Sequence, residues 1–132
     1  MTQVDYERLA QFRYELRRFL RFSEEITRRH GITALQYQLL LQVKGLPSSQ
    51  AATIGTLAER LQAKHHGVVS LVSRCEAAGL VTRRASRDDR RRVEVKLTRA
   101  GAACIAKLAA LHRAELASLP SGPARPDGIT RT

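Results

Sequence analysis

Tryptophan is absent from this chain of 132 residues, which carries only three Phe and three Tyr. Proteins that grip single-stranded nucleic acid usually stack bases on aromatic side chains. Here Tyr6, Phe12, Tyr14, Phe19 and Phe22 all fall in the first 22 residues, at spacings that suit a packing face. Cysteine is scarce too. Cys75 and Cys104 both lie within helical patterns, which argues against a secreted disulfide framework. A redox-sensing role is not expected of either, since a buried thiol is generally inert. No apolar run approaches the ~20 residues of a spanning helix, and the N-terminus lacks a basic region followed by an apolar stretch. The expectation is a cytoplasmic protein without a membrane partner.

Catalytic signatures are missing as well. The chain has no Gly-rich phosphate loop, nucleophile elbow or His-Glu-x-x-His element. Asp88 and Asp89, flanked by five arginines, should stay ionised and paired, which is unsuited to acid–base work. His65 and His66 are adjacent and point about 100° apart on a helix, so they do not share one ion easily. His30, Glu24, Glu25 and His112 show no paired-ligand spacing. Neither an enzyme, nor a cofactor, nor a metal site is expected.

Positive charge is plentiful. Lys and Arg number 23 against 12 Asp and Glu, a formal net charge of +11. Such an excess points to a polyanion, and the shortage of aromatics favours duplex DNA over single strands. A hydrophobic content of 43% is compatible with a real core.

The pattern along the chain is mainly helical. Asp5 to Arg29 reads as a long helix ending at Gly31, with Leu9, Phe12, Leu16, Phe19, Leu20 and Ile26 approximating an apolar stripe. Arg8, Arg13, Arg17, Arg18 and Arg21 occupy its other faces, read as solvated. Thr33-Ala-Leu-Gln36 forms a capping box for a second helix to about Val43, buried along Leu35, Leu39, Leu40 and Val43. Thr53 caps a short third helix, whose Ile54, Leu57, Ala58 and Leu61 face inward. A fourth spans Lys64 to Ala78, with Val68, Leu71, Val72 and Cys75 as its apolar stripe and His66, Ser70, Ser73 and Arg74 on the other side. Gly79 suits the left-handed cap that ends it, with Leu80 folding back. A short strand pattern ends at Arg84, and an alternating one runs from Val93 to Leu97. The last helix starts at Thr98 and continues to about Leu119, and residues 120–132 read as a disordered tail.

Between those strands lies the densest charge. From Arg83 to Arg92 there are six arginines and two aspartates, crowded around Ser86-Arg87-Asp88-Asp89-Arg90-Arg91-Arg92. A hairpin needs no such concentration for its own folding, and the crowding is unfavourable unless a polyanion is the partner. The third and fourth helices, joined by about two residues, have helix-turn-helix spacing. With a basic hairpin directly after them, the order is that of a winged helix. Lys64, His65, His66, Ser70, Ser73 and Arg74 are the candidate DNA contacts on the fourth helix; Arg87, Asp89, Arg90 and Arg91 are those on the wing.

Several segments carry a more specific likeness: Leu57-Ala-Glu-Arg-Leu61, Val68-Val-Ser-Leu-Val-Ser-Arg74, Glu76-Ala-Ala-Gly-Leu-Val-Thr-Arg83, Asp89-Arg-Arg91 and Leu97-Thr-Arg-Ala-Gly101. In order and spacing, from about residue 5 to 119, the chain resembles the MarR family of bacterial transcription regulators. The resemblance implies a single winged-helix domain over 1–119, mainly α with a small β hairpin. Helices 5–30 and 99–119 would form a homodimer, and 33–97 the DNA-binding lobe, presented to a palindromic operator. It implies Arg91 in the minor groove, oriented by Asp89, with Arg87, Arg90 and Arg92 on phosphates. It also implies a repressor released by small phenolic or aromatic ligands. An interaction module that docks a protein partner and binds DNA only non-specifically is the alternative. The chain departs from the family in a short C-terminal segment, Gly67 near the start of the reading helix, and Cys75 at a core position usually held by leucine.

Overall fold

A computed structural model describes residues 1–88 and 91–120. Asp89, Arg90 and nearly all of the tail expected over 120–132 lie outside the described residues. Five helices and one hairpin follow in order: α1 (Gln3–Arg29), α2 (Ala34–Gly45), α3 (Ile54–Leu61), α4 (His65–Ala77), β1 (Val81–Ala85), β2 (Val93–Leu97) and α5 (Arg99–Ala117). The architecture is mainly α with a small antiparallel hairpin, a winged helix. None of the described helices is long and apolar enough to cross a membrane.

Threonine starts four of the five helices. Thr2, Thr33, Thr53 and Thr98 accept hydrogen bonds from the amides of Asp5, Gln36, Thr56 and Gly101. Each such cap contributes about 1 kcal/mol. The expected box at Thr33 is complete, because the Gln36 side chain returns a bond to the Thr33 amide at 2.9 Å. At the other end of α4, Gly79 takes φ +77, and the Leu80 amide bonds the Cys75 carbonyl at 2.9 Å.

α2 is the central helix and packs against α1, α3, α4, α5 and β2. Leu39, Leu40, Leu57, Val68, Val72, Cys75, Val81, Val95, Ile105 and Leu108 are fully or almost fully buried around it. The hairpin pairs Val81 with Leu97 and Ala85 with Val93. Its outer strand is tied inward, since the Val95 amide donates to the Ala52 carbonyl at 2.8 Å. The base of α5 locks onto the same corner. Thr98 donates from its amide to the Leu80 carbonyl (3.0 Å) and from its hydroxyl to the Gly79 carbonyl (2.7 Å). Gly101 is buried there, and a Cβ added to it would lie 2.0 Å from the Leu80 carbonyl oxygen.

A polar knot holds α5 to α1 and α2. His112 is buried; its ring stacks on Tyr37 at 4.1 Å and meets Phe19 and Phe22 edge-on. Nδ1 lies 2.7 Å from the Leu108 carbonyl, which only accepts, so Nδ1 carries a proton. In the neutral ring Nε2 then accepts from the Ser23 hydroxyl at 2.8 Å.

Two packing expectations are corrected. Leu35 is 56% exposed, because it falls past the packed face of α2 at the mouth of a groove shared with Leu61 and Leu71. On α1 the fully buried residues are Glu15, Ser23 and Thr27, whereas Leu9, Phe12 and Leu20 are exposed. Burial there is confined to the face and length of α1 that α2 and α5 cover. Thr27 satisfies its hydroxyl on the Ser23 carbonyl at 2.7 Å, and Glu15 accepts from Gln11 at 2.7 Å.

Candidate nucleic-acid interface

Helix α4 divides cleanly into two faces. Val68, Leu71, Val72 and Cys75 are buried against the core, as the spacing predicts. His65, His66, Val69, Ser70, Ser73 and Arg74 are exposed on the other side, and Lys64 precedes them. The approach to α4 is a tight turn after α3. Gln62 adopts the left-handed conformation at φ 52, and the Ala63 amide bonds the Ala58 carbonyl at 2.9 Å. Unlike the other four helices, α4 has no side-chain cap on its first-turn amides, since its N-cap is Lys64. Open amides and a basic residue at a helix start favour an anion such as phosphate.

The hairpin stands beside that helix start. Its loop is closed at the base by the Ser86 amide, which donates to the Arg92 carbonyl at 2.9 Å, while the Ser86 hydroxyl accepts from the Asp88 amide at 3.2 Å. Arg87, Arg91 and Arg92 are exposed. A groove of about 380 Å³ runs between the two elements, lined by Thr53, Ile54, His65, Val69, Arg91 and Arg92 among others. Of the expected helix contacts, His65 shares this groove with Arg91 and Arg92, whereas His66, Ser70 and Arg74 line a second groove with Leu35, Leu61 and Leu71. Asp89 and Arg90 of the candidate set lie outside the described residues.

Two of the helix candidates engage each other, because Arg74 Nη1 donates to Ser70 Oγ at 3.1 Å. Ser73 has a different partner: Arg83 Nη2 on β1 donates to its hydroxyl and, at 3.3 Å, to the Val69 carbonyl. Arg83 Nη1 also pairs with Glu76 at 3.7 Å. Sequence reasoning missed Arg83, which it counted only as part of the arginine excess; a β1 residue meeting α4 has no local signature. It also missed Val69, 37% exposed on the outward face. The signal for Val69 was available, since it lies one residue off the apolar stripe.

Neither cysteine offers a reactive thiolate. Burial pushes the Cys75 thiol up to about 11, with Arg74 pulling weakly the other way, and burial also raises Cys104. Among the described residues no three His, Cys, Asp or Glu side chains gather where they could hold a metal ion.

Comparison with known proteins bears on the fold. Residues 30–92, from the end of α1 to the start of β2, match the MarR family. A crystallised MarR family transcription regulator is 29% identical, with a TM-score of 0.74 over 85% of this chain and 72% of its own. AbsC of Streptomyces coelicolor, a MarR family transcriptional regulator, superposes with a TM-score of 0.74 at 22% identity, over 88% of this chain and 78% of its own. MepR of S. aureus, solved as a DNA complex, gives 0.72 at 19% identity, over 90% of this chain and 82% of its own. No curated protein is similar enough in sequence to match. The fold is that of the MarR family transcription regulators.

Proposed function

We propose that this chain, whose residues 30–92 match the MarR family, is a sequence-specific regulator that binds double-stranded DNA in the bacterial cytoplasm as a homodimer. The observation that carries this reading is the shared groove: the uncapped start of α4 and the wing arginines Arg91 and Arg92 border one another. One duplex could then take α4 in its major groove and Arg91 in the adjacent minor groove, where narrow A·T-rich tracts concentrate negative potential.

In this reading Lys64, His65 and His66 meet phosphates or bases at the helix start, and Ser70 and Arg74 read base edges. Val69 offers an apolar contact to a thymine methyl. Arg87, Arg90 and Arg92 bind phosphates, and Asp89 orients Arg91. The division of labour follows: 1–119 is one domain, with 33–97 as the DNA-binding lobe and 5–30 and 99–119 as dimer helices. Exposed Val4, Tyr6, Leu9, Phe12, Tyr14 and Leu20 on α1 and Leu111 on α5 support a second copy on that surface. Two lobes related by a twofold axis call for a palindromic operator. We propose repression, relieved by a small aromatic effector; the slot lined by Leu35, Leu61, Leu71 and Arg74 would suit one.

The test is fluorescence anisotropy on DNA upstream of the protein's own gene against a shuffled duplex, at two salt concentrations. The expected preference is about a thousandfold or more at near-physiological salt. Arg91→Ala should weaken operator binding well beyond Arg18→Ala, a solvated charge on α1. Equal effects of the two, or equal affinity for both duplexes across candidate operators, would leave only non-specific phosphate binding and favour a protein-docking module.

A further inference from the structure

We infer that Arg83 is a positioning residue that fixes the wing to the reading helix at the angle a duplex requires. The inference rests on the DNA-binding reading above. The contacts of Arg83 define a line along α4. Its guanidinium reaches the Val69 carbonyl, the Ser73 hydroxyl and the Glu76 carboxylate, residues spaced four and three apart and hence on one stripe. The Val69 carbonyl lies in mid-helix, where it already serves the backbone ladder, so Arg83 adds a second donor to it. One planar fork therefore grips the helix through backbone, hydroxyl and carboxylate at once, which a lysine ammonium does not reproduce.

The root of the wing meets α4 through the core as well, where Val81 is buried in the same cluster as Val72 and Cys75. β1 follows α4 after only Ala78, Gly79 and Leu80, and its outward residues Thr82, Arg83, Arg84 and Ala85 are exposed. Among these, Arg83 carries the side-chain bonds back to the helix. Thr98 holds the corner at Gly79 and Leu80, so Arg83 adds the tie that joins the outward side of β1 to α4. The side chain is one-third exposed and keeps much of its fork against α4. Ser73, taken from sequence as a DNA contact, becomes in this reading the acceptor that seats the arginine.

Three variants test it: Arg83→Gln, Arg83→Lys and Ser73→Ala, each compared with the wild type on operator and shuffled duplex. Residues of one network couple by factors on the order of tenfold. Arg83→Gln should therefore lower the operator-to-shuffled ratio about tenfold. Arg83→Lys, which keeps the charge, should not restore it. Ser73→Ala changes no charge, yet should lower the ratio in the same direction, and the double variant with Arg83→Gln should be no worse than the poorer single one. Hydrogen exchange on the DNA-free dimer supplies a second readout: Arg83→Gln should speed exchange in 81–85 and 93–97 and spare α2. If Arg83→Gln weakens both duplexes equally and Arg83→Lys restores binding, Arg83 is a phosphate contact and the inference falls. Unchanged exchange in the wing overturns it whatever the DNA result. A wild type without operator preference would sink the DNA reading instead, and exchange would still decide whether Arg83 holds the wing.

Discussion

Replacing Gly101 by alanine sets two physical effects against each other. Within a helix, alanine is ordinarily favoured over glycine by up to about 1 kcal/mol. At Gly101 the new methyl would lie 2.0 Å from the Leu80 carbonyl oxygen and 3.0 Å from its carbon. To restore even a tight 3.0 Å contact, α5 must retreat about 1 Å from the backbone of Leu80. That retreat strains the two bonds by which Thr98 holds Gly79 and Leu80, at 2.7 and 3.0 Å. Overpacking against an unyielding neighbour costs about 1–3 kcal/mol, and each weakened hydrogen bond about 1 kcal/mol. After the propensity gain, Gly101→Ala should lose about 2–4 kcal/mol. Urea denaturation followed by far-ultraviolet circular dichroism, at fixed protein concentration because a dimer's midpoint depends on it, measures this. The control is Gly67→Ala in α4, where an added Cβ meets nothing within 4 Å; it should be neutral or stabilising. A Gly101→Ala protein as stable as Gly67→Ala would refute the close approach of α5 to Leu80.

The His112 knot predicts a graded series, read by the same denaturation. His112→Phe keeps a ring against Tyr37 but strands the Ser23 hydroxyl, a loss of about 1–2 kcal/mol, whereas His112→Ala empties the site and should lose about 3 kcal/mol or more. Near-wild-type stability of His112→Ala would mean that the ring does not brace α5 against α1 and α2. Cys75 predicts an alkaline limb. Because its thiol is raised from 9.0 to about 11, its contribution is intact below pH 9 and is lost as pH rises through about 11. The urea midpoint of the wild type should fall more over that window than that of Cys75→Ala; Tyr37, also raised by burial, is common to both proteins. Parallel curves would refute the buried thiol as their cause.

Local rules made much of the fold legible. Threonine caps, the stripe Val68-Leu71-Val72-Cys75 and the Gly79–Leu80 stop are written in short spans, and the structure realises each. The arginine cluster located the wing because its composition is unreasonable for an ordinary hairpin. What periodicity could not give was partner geometry. Leu9, Phe12 and Leu35 satisfy an apolar period yet remain exposed, since a period names a face and not what covers it. Glu15, Ser23 and Thr27 are buried for the converse reason: hydrogen bonds within α1 and to α5 make polar residues acceptable there. The grip of Arg83 on Ser73 joins residues ten apart on different elements, and no spacing rule anticipates it.

The closed base of the hairpin has a consequence for engineering. Ser86 and Arg92 are bonded to each other, and β1 and β2 are held in register below them and tied to Ala52 and Thr98. These ties lie at the base of the hairpin, so a graft between Ser86 and Arg92 that keeps both residues keeps them. Closure entropy rises only slowly with loop length, by about 0.6 kcal/mol per doubling. Longer or differently charged segments can therefore be grafted at this position without redesigning the helices beneath the hairpin.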